Sequence, residues 1–358
     1  MSQSSYIHET ALEAKAKAQR IAFAPIVFQS TLSLRNLGIL RIIGDNNTSG
    51  ISLNDITLKL SLPLYGVRVL LESGLNIGLI TETANLYHLT KTGYFILHDE
   101  LTGVNMDFIN DVCYLGMFEL EKSIKSGKPE GLKVFGSFNT IYEALSELPA
   151  HVQKSWLAFD HFYSDNAIPK AIEVVFRNSP KTILDIGGNT GKFALACTRH
   201  SKDSIITILD LPGQIQMARN SVQDQTEYKR INFHCSNILD ESQEIPKGYD
   251  VIWMSQFLDC FSESEITSIL QRCSASLNTN GSIFILEPFW DRQRFESASF
   301  CLAQTSLYFT TMANGNSQMY HSDIFIQCIQ NAGLRVEELI DCIGLSHSLI
   351  QLKVNKFK

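Results

Sequence analysis

The chain has 358 residues, enough for two domains, with 44% hydrophobic and 19% charged residues and a net charge of −7. That balance is globular rather than disordered, and the acidic net charge speaks against nucleic acid or an anionic membrane surface as the main partner. The eight cysteines are scattered, with no C-x-x-C pair and no Cys/His cluster at zinc spacing, so a metal site is not expected. They fit a reducing, cytoplasmic setting.

The opening "MSQSSYIHETALEAKAKAQR" has no apolar run of the kind a secretory leader or membrane anchor needs. Residues 8–45 show apolar positions at helical spacing. In "SLNDITLKLSL" Ser52 is placed to cap a helix, with Asp55 at the box position. "PLYGVRVLLESGLNIGLI" predicts another helix, opened by Pro63 and broken at Gly74. "LITETANLYHLTKTGYFIL" reads as two short strands around a polar turn. Three helices and a hairpin make a winged-helix pattern. Basic and acidic residues balance between Arg20 and Glu100, and the helix that would enter a groove carries only Arg68. Dimerisation therefore fits better than DNA binding.

Residues 106–165 read as a helical linker that ends in the aromatic stretch "WLAFDHFYSDN". From 166 onward the short apolar runs "KTILDIGG", "SIITILDLP", "INFHCSNIL", "YDVIWMSQFL", "GSIFILEPF", "EELIDCIG" and "HSLIQLKV" alternate with helical stretches. This predicts an α/β, Rossmann-like, doubly wound domain over 166–358, after a winged-helix dimerisation domain over 1–105.

In such a sheet ligands bind beyond the carboxyl ends of the strands. The first strand ends in Asp185, Gly187 and Gly188; the second ends in Asp210, 25 residues after Asp185. A turn that follows an acid and lacks the G-x-G-x-x-G spacing suits a phosphate-free nucleoside with a cationic end, with Asp210 on the ribose hydroxyls. S-adenosylmethionine answers that description.

"ILDIGGNTGKFALA", "ITILDLPGQIQMA" and "YDVIWMSQFLDCFSESEITSILQRCSASLNTNGSIFILEPF" resemble successive motifs of class I S-adenosylmethionine-dependent methyltransferases. More narrowly, they resemble the plant caffeate/flavonoid O-methyltransferase type and its bacterial small-molecule relatives, which also begin with a winged-helix dimerisation domain. The resemblance implies cofactor contacts at Phe159, Ser164, Asp185, Gly187, Gly188, Asp210, Leu211, Asn237, Ile238 and Ser255. S-adenosyl-L-homocysteine would be the product. Asn237 stands where the family has Asp, and Ser255 replaces a common Lys. Tyr163 falls where the family clamps the acceptor ring; Trp156, His161 and Tyr308 join it as acceptor-side candidates on aromatic content and position.

Asp259, in "FLDCFS", occupies the position of the family's catalytic His, and Glu287 matches the Glu that orients that His. A second orienting Glu is replaced, with Gln318 or Met319 near its place. A phenol (pKa about 10) giving its proton to an ordinary Asp (about 4) faces roughly 8 kcal/mol. Burial beside Glu287 would close part of that gap. His161 and His321 remain alternative bases, and Asp259 as a plain helix cap remains a structural alternative. The expectation is a cytoplasmic homodimer that methylates a small phenolic or otherwise aromatic acceptor, free or carrier-bound. Methylation falls on oxygen by resemblance, or on ring carbon because of Asp259. A non-catalytic S-adenosylmethionine-binding protein is the alternative.

Overall fold

The computed structural model describes residues 9–355; the first eight residues of the stretch read above as leaderless lie outside them. The chain forms two compact units, divided after Asp107. No helix among the described residues is long and apolar enough to cross a membrane.

The first unit contains helices Ala11–Asn36, Ile39–Asp45, Leu53–Leu60 and Leu64–Ile77, then a hairpin of β1 (Ile80–Thr83) and β2 (Leu86–Leu89) and a helix Lys91–His98. Ser52 caps its helix as expected, accepting from the Asp55 N–H. Gly74 does not break its helix: the helix runs on to Ile77, and the missing side chain makes room for Leu34 and Ile80, which would lie 3.2–3.3 Å from a Cβ. Leu34, Ile39, Leu40, Ile43, Ile56 and Leu71 fill the unit's core at 0% exposure. Ile21, Phe23, Ile26 and Val27 of the first helix remain exposed.

In the second unit a seven-stranded sheet has the order β5-β4-β3-β6-β7-β9-β8. The strands are β3 (Thr182–Ile186), β4 (Ile205–Asp210), β5 (Ile231–Cys235), β6 (Tyr249–Ser255), β7 (Leu277–Glu287), β8 (Leu334–Ile343) and β9 (His347–Val354). The first five run parallel, whereas β9 pairs antiparallel with both β7 and β8. All seven predicted runs are strands, but the sheet is mixed, because β8 and β9 are joined by a short turn with no room for a crossover helix. Near-continuous apolar runs make this core: Ile183, Leu184, Ile252 and Ile285 are 0% exposed, as expected of strands covered on both faces. The strand order reverses between β3 and β6, and that is where the carboxyl ends open a crevice. The helical segment from Phe108 belongs to the same compact unit as the sheet, and its helix Ala150–Asp165 borders that crevice.

Candidate active site

A cavity of about 370 Å³, within the range of small-molecule sites, lies over the ends of β3, β4 and β6. At the end of β3, Asp185 is 2% exposed and its Oδ2 has no hydrogen-bond partner. Burial, and then the charge of Asp210, push its carboxyl up to about 8. The turn that follows takes Gly187 and Asn189 into the left-handed region, at φ 74° and 47°. A Cβ on Gly187 would sit 2.2 Å from the Phe257 ring, and one on Gly188 would meet Asp185 Oδ2 at 2.9 Å. Only glycine fits the first of these positions. Asp210 accepts from the Asn189 N–H at 3.0 Å and the Leu211 N–H at 2.8 Å. Burial still lifts it to about 6 against those two bonds.

Of the cofactor-side candidates, Phe159, Ser164, Leu211, Asn237, Ile238 and Ser255 all line this cavity with Asp185, Gly187, Gly188 and Asp210. Asn237 also has a local partner. Its side-chain oxygen accepts from the Leu239 N–H at 3.0 Å, so it closes its own loop, an Asx turn of the kind short polar side chains favour.

On the other side, the Trp156 indole N–H donates to the Tyr308 hydroxyl at 2.7 Å. Phe159 stacks on Phe108 with ring centroids 3.9 Å apart, and Tyr308 meets Phe108 edge-on at 5.0 Å. His161 lines the cavity, its Nε2 lying 3.4 Å from the Thr190 hydroxyl; burial lowers its pKa. Tyr163 is not among the lining residues: it shares a helix face with Trp156 and Phe159, seven and four residues earlier, and its ring packs on Phe159 and Phe162.

Asp259 sits in one turn of 3₁₀ helix, Leu258–Cys260, just beyond β6, and is 4% exposed. Burial raises it to about 7; the Cys260 thiol, 3.4 Å from its Oδ1, opposes the shift, and the charge of Asp160 adds to it. The next helix is capped by Ser262 with Glu265, both halves of the box being present, which leaves Asp259 no capping role. Glu287, at the end of β7 and 1% exposed, accepts through Oε1 from the N–H groups of Phe257 (2.9 Å) and Leu258 (2.8 Å). Its Oε2 is buried without a partner. Burial first, and the charge of Asp259 second, drive its carboxyl well above the usual range. Through those two backbone bonds Glu287 holds the turn that presents Asp259.

His321 lies outside the cavity. Its Nδ1 accepts from the Asp323 N–H at 3.1 Å and caps the helix Ser322–Asn331, and its ring meets Trp290 edge-on. A base at this position is thereby removed from the site. Met319 lines the cavity at the approximate place of the replaced Glu, whereas Phe300 is 56% exposed and outside the lining.

Three lining residues escaped the sequence reading. Asp160 accepts from the Asn189 side-chain amide at 3.1 Å, and burial raises its carboxyl to about 7. It stood beside Phe159 in a quoted stretch, so helical spacing from Trp156 was the available signal. Tyr142 carries a buried hydroxyl with no partner, in a stretch without motif. Asn314 donates to the Cys260 carbonyl and fixes the turn from the far side.

A family model described as an O-methyltransferase domain matches residues 119–335, and a Dimerisation2-like domain matches residues 15–87. Acetylserotonin O-methyltransferase of Bos taurus is 25% identical over 185 residues, covering 50% of this chain and 51% of that protein. The match thus spans about half the length of that curated relative. Caffeic acid 3-O-methyltransferase of Zinnia elegans is 32% identical over 107 residues, 30% of this chain and 27% of that one. Among solved structures, human N-acetylserotonin methyltransferase in complex with S-adenosylmethionine superposes with a TM-score of 0.67 at 16% identity, over 98% of this chain and 99% of that one. At that identity the likeness shows the fold.

The unpaired Asp185 has a consequence for stability. Its folded pKa of about 8 lies above the unfolded value near 4. Its contribution is thus fully present below about pH 4 and is lost as pH rises toward 8. Asp185→Asn is expected to match the wild-type melting temperature near pH 4 and to exceed it by a growing margin up to pH 8. Melting curves of the ligand-free protein across that range check this; equal curves at pH 8 would contradict the buried, unpaired carboxylate.

Proposed function

This chain belongs to the O-methyltransferase family, and on that footing we propose that it transfers a methyl group from S-adenosylmethionine to the hydroxyl of a small aromatic acceptor. The observation that carries the proposal is the Asp185–Asp210 pair at adjacent strand ends. One carboxylate has an oxygen without a partner, the other is held by two backbone N–H groups, and glycines lie between them. This fits the donor: Asp210 has lone pairs left for the two ribose hydroxyls, and Asp185 meets the positive end. When bound, S-adenosylmethionine supplies an electrophilic methyl group on a sulfonium.

The chain's own residues hold the acceptor and manage its proton. Trp156, Phe159 and Tyr308 wall the acceptor side and exclude water. Asp259 accepts the hydroxyl proton. With its pKa near 7, a phenol of pKa about 10 is some three units away, roughly 4 kcal/mol, half the gap an ordinary Asp would leave. Alignment in a closed cavity supplies the rest. His161 is a second candidate base, but its lowered pKa makes it the weaker proton acceptor. Because Asp259 stands in the family's His position and builds charge on the acceptor oxygen, methylation of the ring carbon beside that oxygen is a second reading. We also infer a homodimer, supported by the dimerisation-domain match and by exposed Ile21, Phe23, Ile26 and Val27.

Two outcomes test the assignment. Asp210→Ala should weaken S-adenosylhomocysteine binding by about 1.5–3 kcal/mol in calorimetry, the worth of charge-assisted hydrogen bonds; unchanged affinity would remove the cofactor placement. In a screen of phenols and catechols with labelled S-adenosylmethionine, Asp259→Asn should keep cofactor affinity and lose roughly 10²–10⁴ in turnover. Normal turnover by that variant would make Asp259 structural, and cofactor binding without transfer to any acceptor would favour the non-catalytic alternative.

A further inference from the structure

We propose that the acceptor carries a basic nitrogen, a protonated amine whose charge is met by Asp160 in the field of Asp259, and that the cleft rejects acceptors bearing a carboxylate. The inference rests on the functional reading above and narrows its substrate class.

The charged groups around the cavity carry the argument. Among the described residues the only Lys or Arg that lines it is Lys192, and that ammonium is bound by Asp165 at 2.5 Å. Asp185 and Asp210 belong to the cofactor side, and Glu265 is used by the Ser262 cap. Glu143 also lines the cavity but is exposed. Asp160 and Asp259 remain, each disturbed by desolvation, with the charge of Asp160 felt at Asp259. Among the described residues neither forms an ion pair with a Lys or Arg, although the Lys192 charge reaches Asp160 and opposes its shift; the nearest titratable base, His161, stands 3.9 Å from Asp160 Oδ2, and burial lowers its pKa. Behind Asp259 the second oxygen of Glu287 is buried and unpartnered, and so is the Tyr142 hydroxyl at the cavity wall.

Desolvated carboxylates without a counter-charge are costly, and a ligand that brings the counter-charge recovers that cost on binding. A ligand carboxylate would add a third negative group with no guanidinium or free ammonium to receive it. The remaining walls suit a cation as well. Phe108, Phe159, Trp156 and Tyr308 present aromatic surface beside Asp160, and aromatic faces attract ammonium groups most strongly where water is excluded.

Three catechols that differ only in side-chain charge give a direct test: dopamine, 3,4-dihydroxyphenylethanol and 3,4-dihydroxyphenylacetate. Binding to the full-length protein would be measured by calorimetry at pH 7.5 with saturating S-adenosylhomocysteine, which lacks the sulfonium charge and leaves neutralisation to the acceptor. Dopamine should bind at least tenfold tighter than the alcohol, and the acetate at least tenfold more weakly. The Asp160→Asn and Asp259→Asn variants should each compress that order, while still binding S-adenosylhomocysteine. The proposal is overturned if the acetate equals or exceeds dopamine, if dopamine does not bind, or if the order survives unchanged in both variants. The wild-type comparison stands even if a variant fails to fold. Loss of S-adenosylhomocysteine binding by the wild type would instead overturn the functional reading itself.

Discussion

The site depends on buried carboxyl groups that the protein leaves without counter-ions. Asp185, Asp259 and Glu287 are each at most 4% exposed, and no Lys or Arg answers them at the cavity wall apart from the committed Lys192. Such groups cost stability unless they are protonated, hydrogen-bonded or matched by a ligand. Glu287 and Asp210 each take two backbone N–H groups, and Asp185 keeps an oxygen without a partner.

The sheet makes that arrangement possible. Parallel strands β3, β4, β6 and β7 end at one edge, so acids at their last positions gather although they lie up to 102 residues apart in the chain. The apolar runs that precede them bury the strands and desolvate their ends. Glu287 then reaches across to the two N–H groups after β6, fixing the turn on which Asp259 sits. A carboxyl in place of an imidazole is workable there because the same burial lifts its pKa toward neutrality.

Much of this was legible in the sequence. Short apolar runs mark the strands, several of them closed by an acid or glycine, and the spacing from Asp185 to Asp210 marked the cofactor side. The rest depended on information that one-dimensional patterns lack. Trp156, Phe159, Asp160 and Tyr163 share one face of Ala150–Asp165, but periodicity does not say how far along that face the cavity reaches, so Tyr163 was taken up and Asp160 passed over. His321 was read for its chemistry, although His-Ser-Asp before an apolar helix is also a cap pattern, and capping is its role. Gly74 looked like a breaker because its use, close approach of Leu34 and Ile80, is a tertiary contact. Asn237, matched by position to an adenine contact, also closes its own loop, a local bond that position alone does not show. The antiparallel β8–β9 pair follows from a connection too short for a helix, which alternation of elements does not reveal.

The central claim, that Asp259 is the proton acceptor and Glu287 holds the turn that presents it, is tested most directly by the pH dependence of turnover at saturating acceptor. The wild-type rate should rise with pH through one ionisation near 7, well above a free Asp. That limb should persist in Glu287→Gln, whose amide oxygen can still accept from Phe257 and Leu258, and should vanish in Asp259→Asn. A limb near 7 that survives unchanged in Asp259→Asn would contradict the account and move the base to another residue.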